Sequence, residues 1–364
     1  MKPGKMRKLF RNILLAVNII FASALLISYL AVHINPEDFI LPAFFGLLYP
    51  YLLIINILFA VIWAVNLRLY ALISVISIAI GFNHISNYLR PARPVASEDH
   101  LFTLMSYNVR LFNRYEAPGT ETTENKVVDL VANLKPDILC LQEYYTGSEW
   151  SKLNNLLSTS MGSDIESHIK VTVLGRGNFY GIATFSRFPI VSRGEIIHPD
   201  SPGLTIYTDL IIEQDTFRVF NNHLQSFRLE KMERSFIANM LADQYQRATE
   251  LAGLFTSLRD GFVKRAAQAN VLKAFIETSP YPVLVTGDFN DTPVSYSYRR
   301  IRKGLTDSFL KSGYGAGFTY KGNYPPNRID YILHDSKLKS TSFSVIGVKY
   351  SDHYPVIGGF VMND

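Results

Sequence analysis

The 364-residue sequence predicts a layered α/β domain preceded by an all-α, membrane-spanning region. Three observations predict it. Charged residues nearly vanish from residues 1–90. From residue 101 onward, short apolar strands alternate with helical patterns, with chain reversals at Gly and Pro. Neither GxGxxG nor GxxxxGK[ST] occurs, which argues for a sandwich rather than a nucleotide-binding doubly wound sheet.

Of the 36 basic and 31 acidic residues, seven and two lie in residues 1–90, which leaves 29 of each sign in the remainder. The basic pI of about 9.0 therefore comes from the front end, and the neutral remainder argues against an extended nucleic-acid track. The single cysteine, Cys140, excludes a disulfide framework or a multi-cysteine metal site.

Three stretches without charge predict membrane spans at about 12–34, 40–66 and 69–88, each near the roughly 20 residues a crossing helix needs. The third is the most polar, with Ser74, Ser77, Gly81, Asn83 and His84. Lys2, Lys5, Arg7, Lys8 and Arg11 precede the first span, and the loop His33 to Asp38 has no Lys or Arg, so the N-terminus is expected to be cytoplasmic. Three crossings then put the rest of the chain on the outer, periplasmic or extracellular face; a re-entrant third segment would reverse this. Residues 91–100, with Pro91 and Pro94, read as a stiff linker.

Residues 101–364 form the second predicted domain. Expected strands are Leu101 to Tyr107, Asp137 to Gln142, Gly181 to Ser186, Thr205 to Ile212, Phe217 to Asn222, Pro282 to Thr286, Ile329 to Leu333 and Phe343 to Val348. Val127, Leu130, Val131 and Leu134 have the i, i+3, i+4, i+7 spacing of a helix with one buried face. A helical insertion is expected at about 226–279, as two segments, Leu229 to Leu258 and Gly261 to Thr278. Its basic residues, among them Arg259, Lys264, Arg265 and Lys273, predict a solvated helical face, a flap over the site or a surface resting on anionic headgroups.

Six times an apolar strand runs out into polar residues: Asn108, Glu143, His223, Asp288 with Asn290, Asp330, and Asp352 with His353. Each alone has an ordinary structural reading, a lone Asn or Asp after a strand being usually a turn former. Together they supply the hard oxygen ligands that a Mg²⁺-type ion prefers, and histidines that can bond phosphate oxygens or carry protons. A serine nucleophile lacks GxSxG, and a zinc site lacks HExxH.

The ordered set Met-Ser-Tyr-Asn108-Val, Leu-Gln-Glu143, Tyr180-Gly-Ile-Ala, Asn222-His223-Leu, Gly-Asp288-Phe-Asn290, Arg328-Ile-Asp330-Tyr and Ser-Asp352-His353 resembles the endonuclease/exonuclease/phosphatase superfamily. The resemblance implies a four-layer α/β/β/α sandwich and a hydrolase dependent on Mg²⁺, with Mn²⁺ or Ca²⁺ as substitutes. It implies Glu143 as principal metal ligand, helped by Asn108 and Asp352, and Asp288 as the group that orients or deprotonates water. Asn290 and His223 would contact the phosphate, His353 steered by Asp330 would stabilise phosphoryl charge, and Tyr180 would lie near the leaving group. Glu143 is followed by Tyr144 and Tyr145, unlike the Thr-Lys of exonuclease-III-like repair enzymes. The expected substrate is a phosphoester on a lipid headgroup, a small molecule or nucleic acid; the expected neighbour is a lipid bilayer, with no protein partner. The competing readings are a nuclease and a non-catalytic binding module on the same fold.

Overall fold

The computed structural model describes residues 3–91, 100–113, 122–146, 150–175, 178–198, 203–227, 244–322 and 326–363. Most of the expected linker, and the insertion from 228 to 243, lie outside them. The chain divides into two compact units: Met1–Asn87, Arg228–Ala266 and Asp291–Arg300 form one, and Tyr88–Phe227, Ala267–Asn290 and Ile301–Asp364 the other.

The first unit is helical. It contains α1 (Pro3–Ser28), α2 (Leu41–Leu47), α3 (Tyr49–Val65), α4 (Ala71–Ile80) and α5 (Phe82–Ile85). The helical stretch Gly4–Val32 is long and apolar enough to cross a membrane, and α2 with α3 passes the same test as a pair bent by 71°. The third expected span differs from expectation. At 1.5 Å per residue the ten residues of α4 reach only about 15 Å, half a hydrocarbon core, before Gly81 interrupts the helix. The unit also takes in the front of α8 (Gln244–Glu277) and most of α9 (Tyr296–Arg302). Helix α8 is continuous where two segments were expected.

The second unit holds β1 (Leu89–Arg90), β2 (Phe102–Asn108), α6 (Thr123–Leu134), β3 (Ile138–Thr146), α7 (Trp150–Met161), β4 (Glu166–Gly175), β5 (Asn178–Ser186), β6 (Ile190–Ile196), β7 (Leu204–Ile212) and β8 (Asp215–His223). After the rear of α8 come β9 (Val283–Asp288), β10 (Thr306–Asp307), α10 (Ser308–Ser312), β11 (Gly315–Ala316), β12 (Asp330–His334), β13 (Leu338–Val345) and β14 (Val356–Met362). Two six-stranded sheets result, ordered β13-β14-β2-β3-β5-β4 and β10-β12-β9-β8-β7-β6. Only β2 with β3 and β8 with β9 pair in parallel within them.

Strand β3 shows why the sheets pack into layers. Ile138 and Cys140 enter the core between the sheets with Leu104, Phe217, Val219 and Leu284. Leu139 and Leu141 point the other way, into a core with Val127, Val131, Leu153 and Leu157 of α6 and α7. An unbroken Ile-Leu-Cys-Leu run is what a strand covered on both faces requires. On the far side, α8 brings Phe275 against Tyr207 of β7, with ring centroids 6.4 Å apart. The order is α/β/β/α. The expectation of a solvated basic helical face fails at Arg265 and Lys273, which are buried in α8.

Candidate active site

The site is built from strand ends in the second unit. In one sheet Asn108, the last residue of β2, is the register partner of Gln142. Beyond it the β3–β5 register shifts between Leu141 and Tyr144, and Glu143 takes a left-handed backbone, φ +49°. Such a bulge re-aims a side chain, and strain of this kind persists where the surroundings over-determine it. In the other sheet His223, Asp288 and Asp330 stand in one row across β8, β9 and β12. Gly287, which precedes Asp288, has φ +125°, and a Cβ there would lie 2.0 Å from the Asn222 carbonyl oxygen. Glycine alone lets β8 and β9 approach this closely.

Hydrogen bonds knit the two rows together. The Asn108 amide donates to Asp288 Oδ2 at 3.0 Å and to Glu143 Oε1 at 3.4 Å. Asn290, itself left-handed at φ +52°, donates its backbone N–H to Asp288 Oδ1 at 2.7 Å. Both side-chain donors of Asn290 are engaged, with Asp288 Oδ2 at 3.1 Å and the Leu224 carbonyl at 3.0 Å. His353 sets Nδ1 3.0 Å from Asp330 Oδ2 and Nε2 3.7 Å from Asp288 Oδ2. His223 meets the Tyr180 hydroxyl through Nδ1 at 3.0 Å. Its Nε2 is buried without a hydrogen bond among the described residues, 3.5 Å from Glu143 Oε1 and 3.8 Å from Asp288 Oδ2. Asp352 pairs with Arg110 Nε at 3.5 Å and accepts from the Ser351 hydroxyl.

Burial and charge set the protonation states. Burial would discharge His353, but the carboxylates of Asp330 and Asp288 overcome it and raise its pKa to about 10, so the ring is a cation at neutral pH. Burial lifts Glu143 to about 7, helped by Asp352 and Asp288 and opposed by His353. Asp288 is raised as well, first by burial and then by Asp330, against the two histidines. His223 is lowered by burial despite Asp288 and stays neutral.

Asp288, Asp330 and His353 offer three ligand atoms within 4.8 Å of one another. A protonated His353 with Nδ1 on Asp330 has no lone pair for a cation, so this trio reads as an ion-paired relay. The better fit for a hard divalent ion is the carboxylate pair Glu143 and Asp352, with 26% of the Glu143 side chain reaching solvent. Asn108 turns its NH2 to Glu143 and its oxygen to the Arg110 N–H, so it orients Glu143 rather than offering an oxygen ligand. Mutual carboxylate repulsion at Glu143 is the local signature of a place that a positive charge would relieve.

Contacts thus connect Asn108, Glu143, Tyr180, His223, Asp288, Asn290, Asp330 and His353, and Asp352 acts electrostatically on Glu143. Residues not singled out from the sequence also shape the site. Ser351 donates to the Asn108 carbonyl and accepts from the His353 N–H, tying β2 to the last motif. Tyr320 packs edge-on against His353 at 5.1 Å. Beneath, Gln142 donates to Asn221, which donates to the Ala183 carbonyl, bridging the sheets. Ser351 and Gln142 adjoin motif residues in sequence; Tyr320 carries no comparable signal.

The model of the endonuclease/exonuclease/phosphatase family matches residues 105–353, and the chain belongs to that family. Its members are typically hydrolases acting on phosphoesters. A second family, described as a domain of unknown function, matches residues 11–88. A search of curated proteins finds no match. Among solved structures, a family protein from Bacteroides thetaiotaomicron is 18% identical over 72% of this chain and 98% of its own, with a TM-score of 0.54. A humanized D. rerio TDP2 carrying 14 mutations is 14% identical over 72% and 99%, with a TM-score of 0.53. The human Nocturnin catalytic domain, bound to a sulfate anion, is 19% identical over 75% and 100%, with a TM-score of 0.52. At these identities the likeness is one of fold.

Proposed function

We propose that this chain is a membrane-anchored, divalent-metal-dependent phosphoesterase that cleaves a phosphoester by water attack. The observation that carries the reading is the buried relay Asp330–His353–Asp288 facing Glu143 and Asn108 across the ends of two sheets. In hydrolysis the water oxygen bonds to phosphorus and the ester P–O bond breaks. Asp288, whose pKa burial raises so that its carboxylate is a stronger proton acceptor, is fixed by Asn108 and Asn290 and takes the water proton. His353 stays protonated and donates from Nε2 to a phosphoryl oxygen. His223 offers its unpartnered Nε2 to the same group. The leaving oxygen takes a proton from bulk water. Asn290, whose side-chain donors are spent on Asp288 and Leu224, acts by holding Asp288 rather than by touching phosphate.

Glu143 and Asp352 would hold the metal, with Asn108 orienting Glu143. Mg²⁺ there supplies positive charge that neutralises developing phosphoryl charge.

Membrane anchoring is supported by the burial pattern of the helical unit, which is inverted relative to a soluble protein. Asn18, Ser28, Asn56, Ser74 and Ser77 are buried, while Ile13, Ile20, Ile54, Leu58, Val61, Ile76 and Ile80 face outward. Asn18 donates to Ser74 at 2.7 Å, Trp63 to Asn18 at 2.9 Å and Ser74 to Asn56 at 3.0 Å, linking α1, α3 and α4. Polar groups paired inside and apolar groups outside suit hydrocarbon as solvent. Lys2, Lys5, Arg7, Lys8 and Arg11, ahead of the first apolar stretch, support a cytoplasmic N-terminus. Past the break at Gly81 the chain continues along the helical stretch Gly4–Val32, from Ser74 beside Asn18 to His84 stacked on Tyr29, which supports a third, interrupted crossing and an outer catalytic unit.

The test uses the full chain in detergent micelles with bis-p-nitrophenyl phosphate, plus Mg²⁺ or EDTA. Mg²⁺-dependent turnover lost in Asp288→Asn and His353→Gln is expected. No turnover, or variants that keep full activity, would overturn the enzymatic reading.

A further inference from the structure

We infer that the phosphoester this site takes is borne by a lipid of the bilayer that holds the helical unit; this rests on the phosphoesterase reading above. A catalytic domain on a leash joins its anchor once. Here each unit is made of three segments that alternate along the chain, so the polypeptide passes between the units five times. One passage is the peptide bond after Asn290, next to the residue that holds Asp288. By covalent geometry alone the Cα of Asp291 lies about 3.8 Å from that of Asn290.

Asp291 is fixed within the helical unit. It forms an ion pair with Arg265 at 3.2 Å, and both side chains are buried. Three residues on, Val294 presses against α2: a Cβ on Gly46 would lie 2.4 Å from the Val294 carbonyl oxygen. Beside this contact the front of α8 lies on α2, with Phe44 stacked on Phe255 at 4.6 Å and edge-on to Phe262 at 5.4 Å. The segment that begins at the catalytic loop is thus bolted to the apolar helices.

The same unit exposes an apolar rim. Leu251 and Phe255 of α8 are 56% and 51% exposed, and Phe39, Leu41 and Leu48 around α2 are exposed too. A rim of this kind, continuous with helices whose apolar residues face outward, suits the interfacial layer of a bilayer. The lipid surface is the occupant. A headgroup phosphate in that layer is delivered at the high local concentration of a tethered substrate, which a solute lacks. Nucleic acid gains nothing from the rim.

The experiment reconstitutes the full chain in vesicles of phosphatidylethanolamine and phosphatidylglycerol. It compares headgroup release with turnover of the deacylated glycerophosphodiesters, plasmid DNA and bis-p-nitrophenyl phosphate. Lipid turnover at least about tenfold above the deacylated compounds is expected from the surface concentration. Leu251→Gln and Phe255→Ser should lower lipid turnover several-fold and leave bis-p-nitrophenyl phosphate unchanged, which also reports that the variants are folded. Turnover of bis-p-nitrophenyl phosphate with no lipid preference, with DNA preferred, or with both variants at full lipid rates overturns the lipid assignment alone. No turnover of any substrate overturns the phosphoesterase reading and this one with it.

Discussion

The two units bury polar residues for opposite reasons. In the helical unit one set of buried polar atoms satisfies itself: Asn18, Asn56, Ser74 and Trp63 close a network across three helices, and their outward neighbours are apolar. In the catalytic unit the buried polar atoms gather at one rim of two sheets and remain partly unpaid. Burial raises the pKa of Glu143 and of Asp288 against their charged forms, and His223 Nε2 lacks a hydrogen bond among the described residues. A closed network specifies packing, whereas an open one is poised for a ligand. The contrast is sharpened or broken by substitutions on each side of it.

The largest effect belongs to the open network. Asp288→Asn removes the proposed proton acceptor while keeping the shape and the hydrogen bond from the Asn290 backbone N–H. It should cut Mg²⁺-dependent kcat by about 10³-fold or more, the scale of losing a positioned acid–base group, with the melting temperature little changed. A drop below tenfold would mean that the buried carboxylate is there for packing.

Next comes Glu143→Gln, which separates function from stability. The folded-state pKa of about 7 lies above the ordinary 4.5, so ionising Glu143 opposes folding. The penalty is absent below the unfolded value, grows as pH rises from 4.5 to about 7, and is constant above. In metal-free protein at pH 8 the glutamine variant should be more stable by on the order of 2 kcal/mol, discounted for the exposed part of the side chain. At pH 4 the gain should vanish. The wild type should also recover stability on adding Mg²⁺, whereas the variant should not. Thermal melts with EDTA and with Mg²⁺ at both pH values measure all four arms.

How much of this was legible from sequence follows the same physical divide. The strands that carry the site, β2, β3, β8, β9 and β12, are covered on both faces and write themselves as apolar runs that end in Asn108, Glu143, His223, Asp288 and Asp330. Strand β6 alternates weakly and is mostly exposed between its ends, and β4 is an edge strand; neither was expected from sequence. Strand β14 runs through Gly358 and Gly359, which hide its pattern. The bulge at Glu143 has no sequence mark, because it consists in the pairing, one extra β3 residue between the pairs Leu141–Ala183 and Tyr144–Gly181. In the helical unit composition revealed apolarity but not geometry. Nothing local tells that Asn18 meets Ser74, 56 residues on, or that α4 stops after ten residues.

The closed network predicts a smaller effect. Asn18→Leu strips the partners of Ser74 and Trp63 and should lower stability in detergent by about 1 kcal/mol, the scale of hydrogen bonds between membrane helices. Turnover per folded molecule should be unchanged. A variant as stable as the wild type would make the network incidental, and one with altered kcat would erase the distinction between the units.

The smallest effect tests where the open network ends. The Tyr180 hydroxyl lies 3.0 Å from His223 Nδ1, and His223 Nε2 faces the carboxylates of Glu143 and Asp288. For a neutral ring, carboxylates opposite Nε2 favour the tautomer with the proton on Nε2, which leaves Nδ1 to accept from the tyrosine. Tyr180→Phe removes that donor, lets the proton reside on either nitrogen and costs about 1 kcal/mol, a three- to tenfold fall in kcat. Substrate binding through the rest of the cleft should persist, so KM should move less than kcat. In the histidine ¹⁵N spectrum the His223 resonances should shift toward a mixture of tautomers. An unchanged spectrum together with an unchanged kcat would place Tyr180 with the core, and the poised set would then stop at His223.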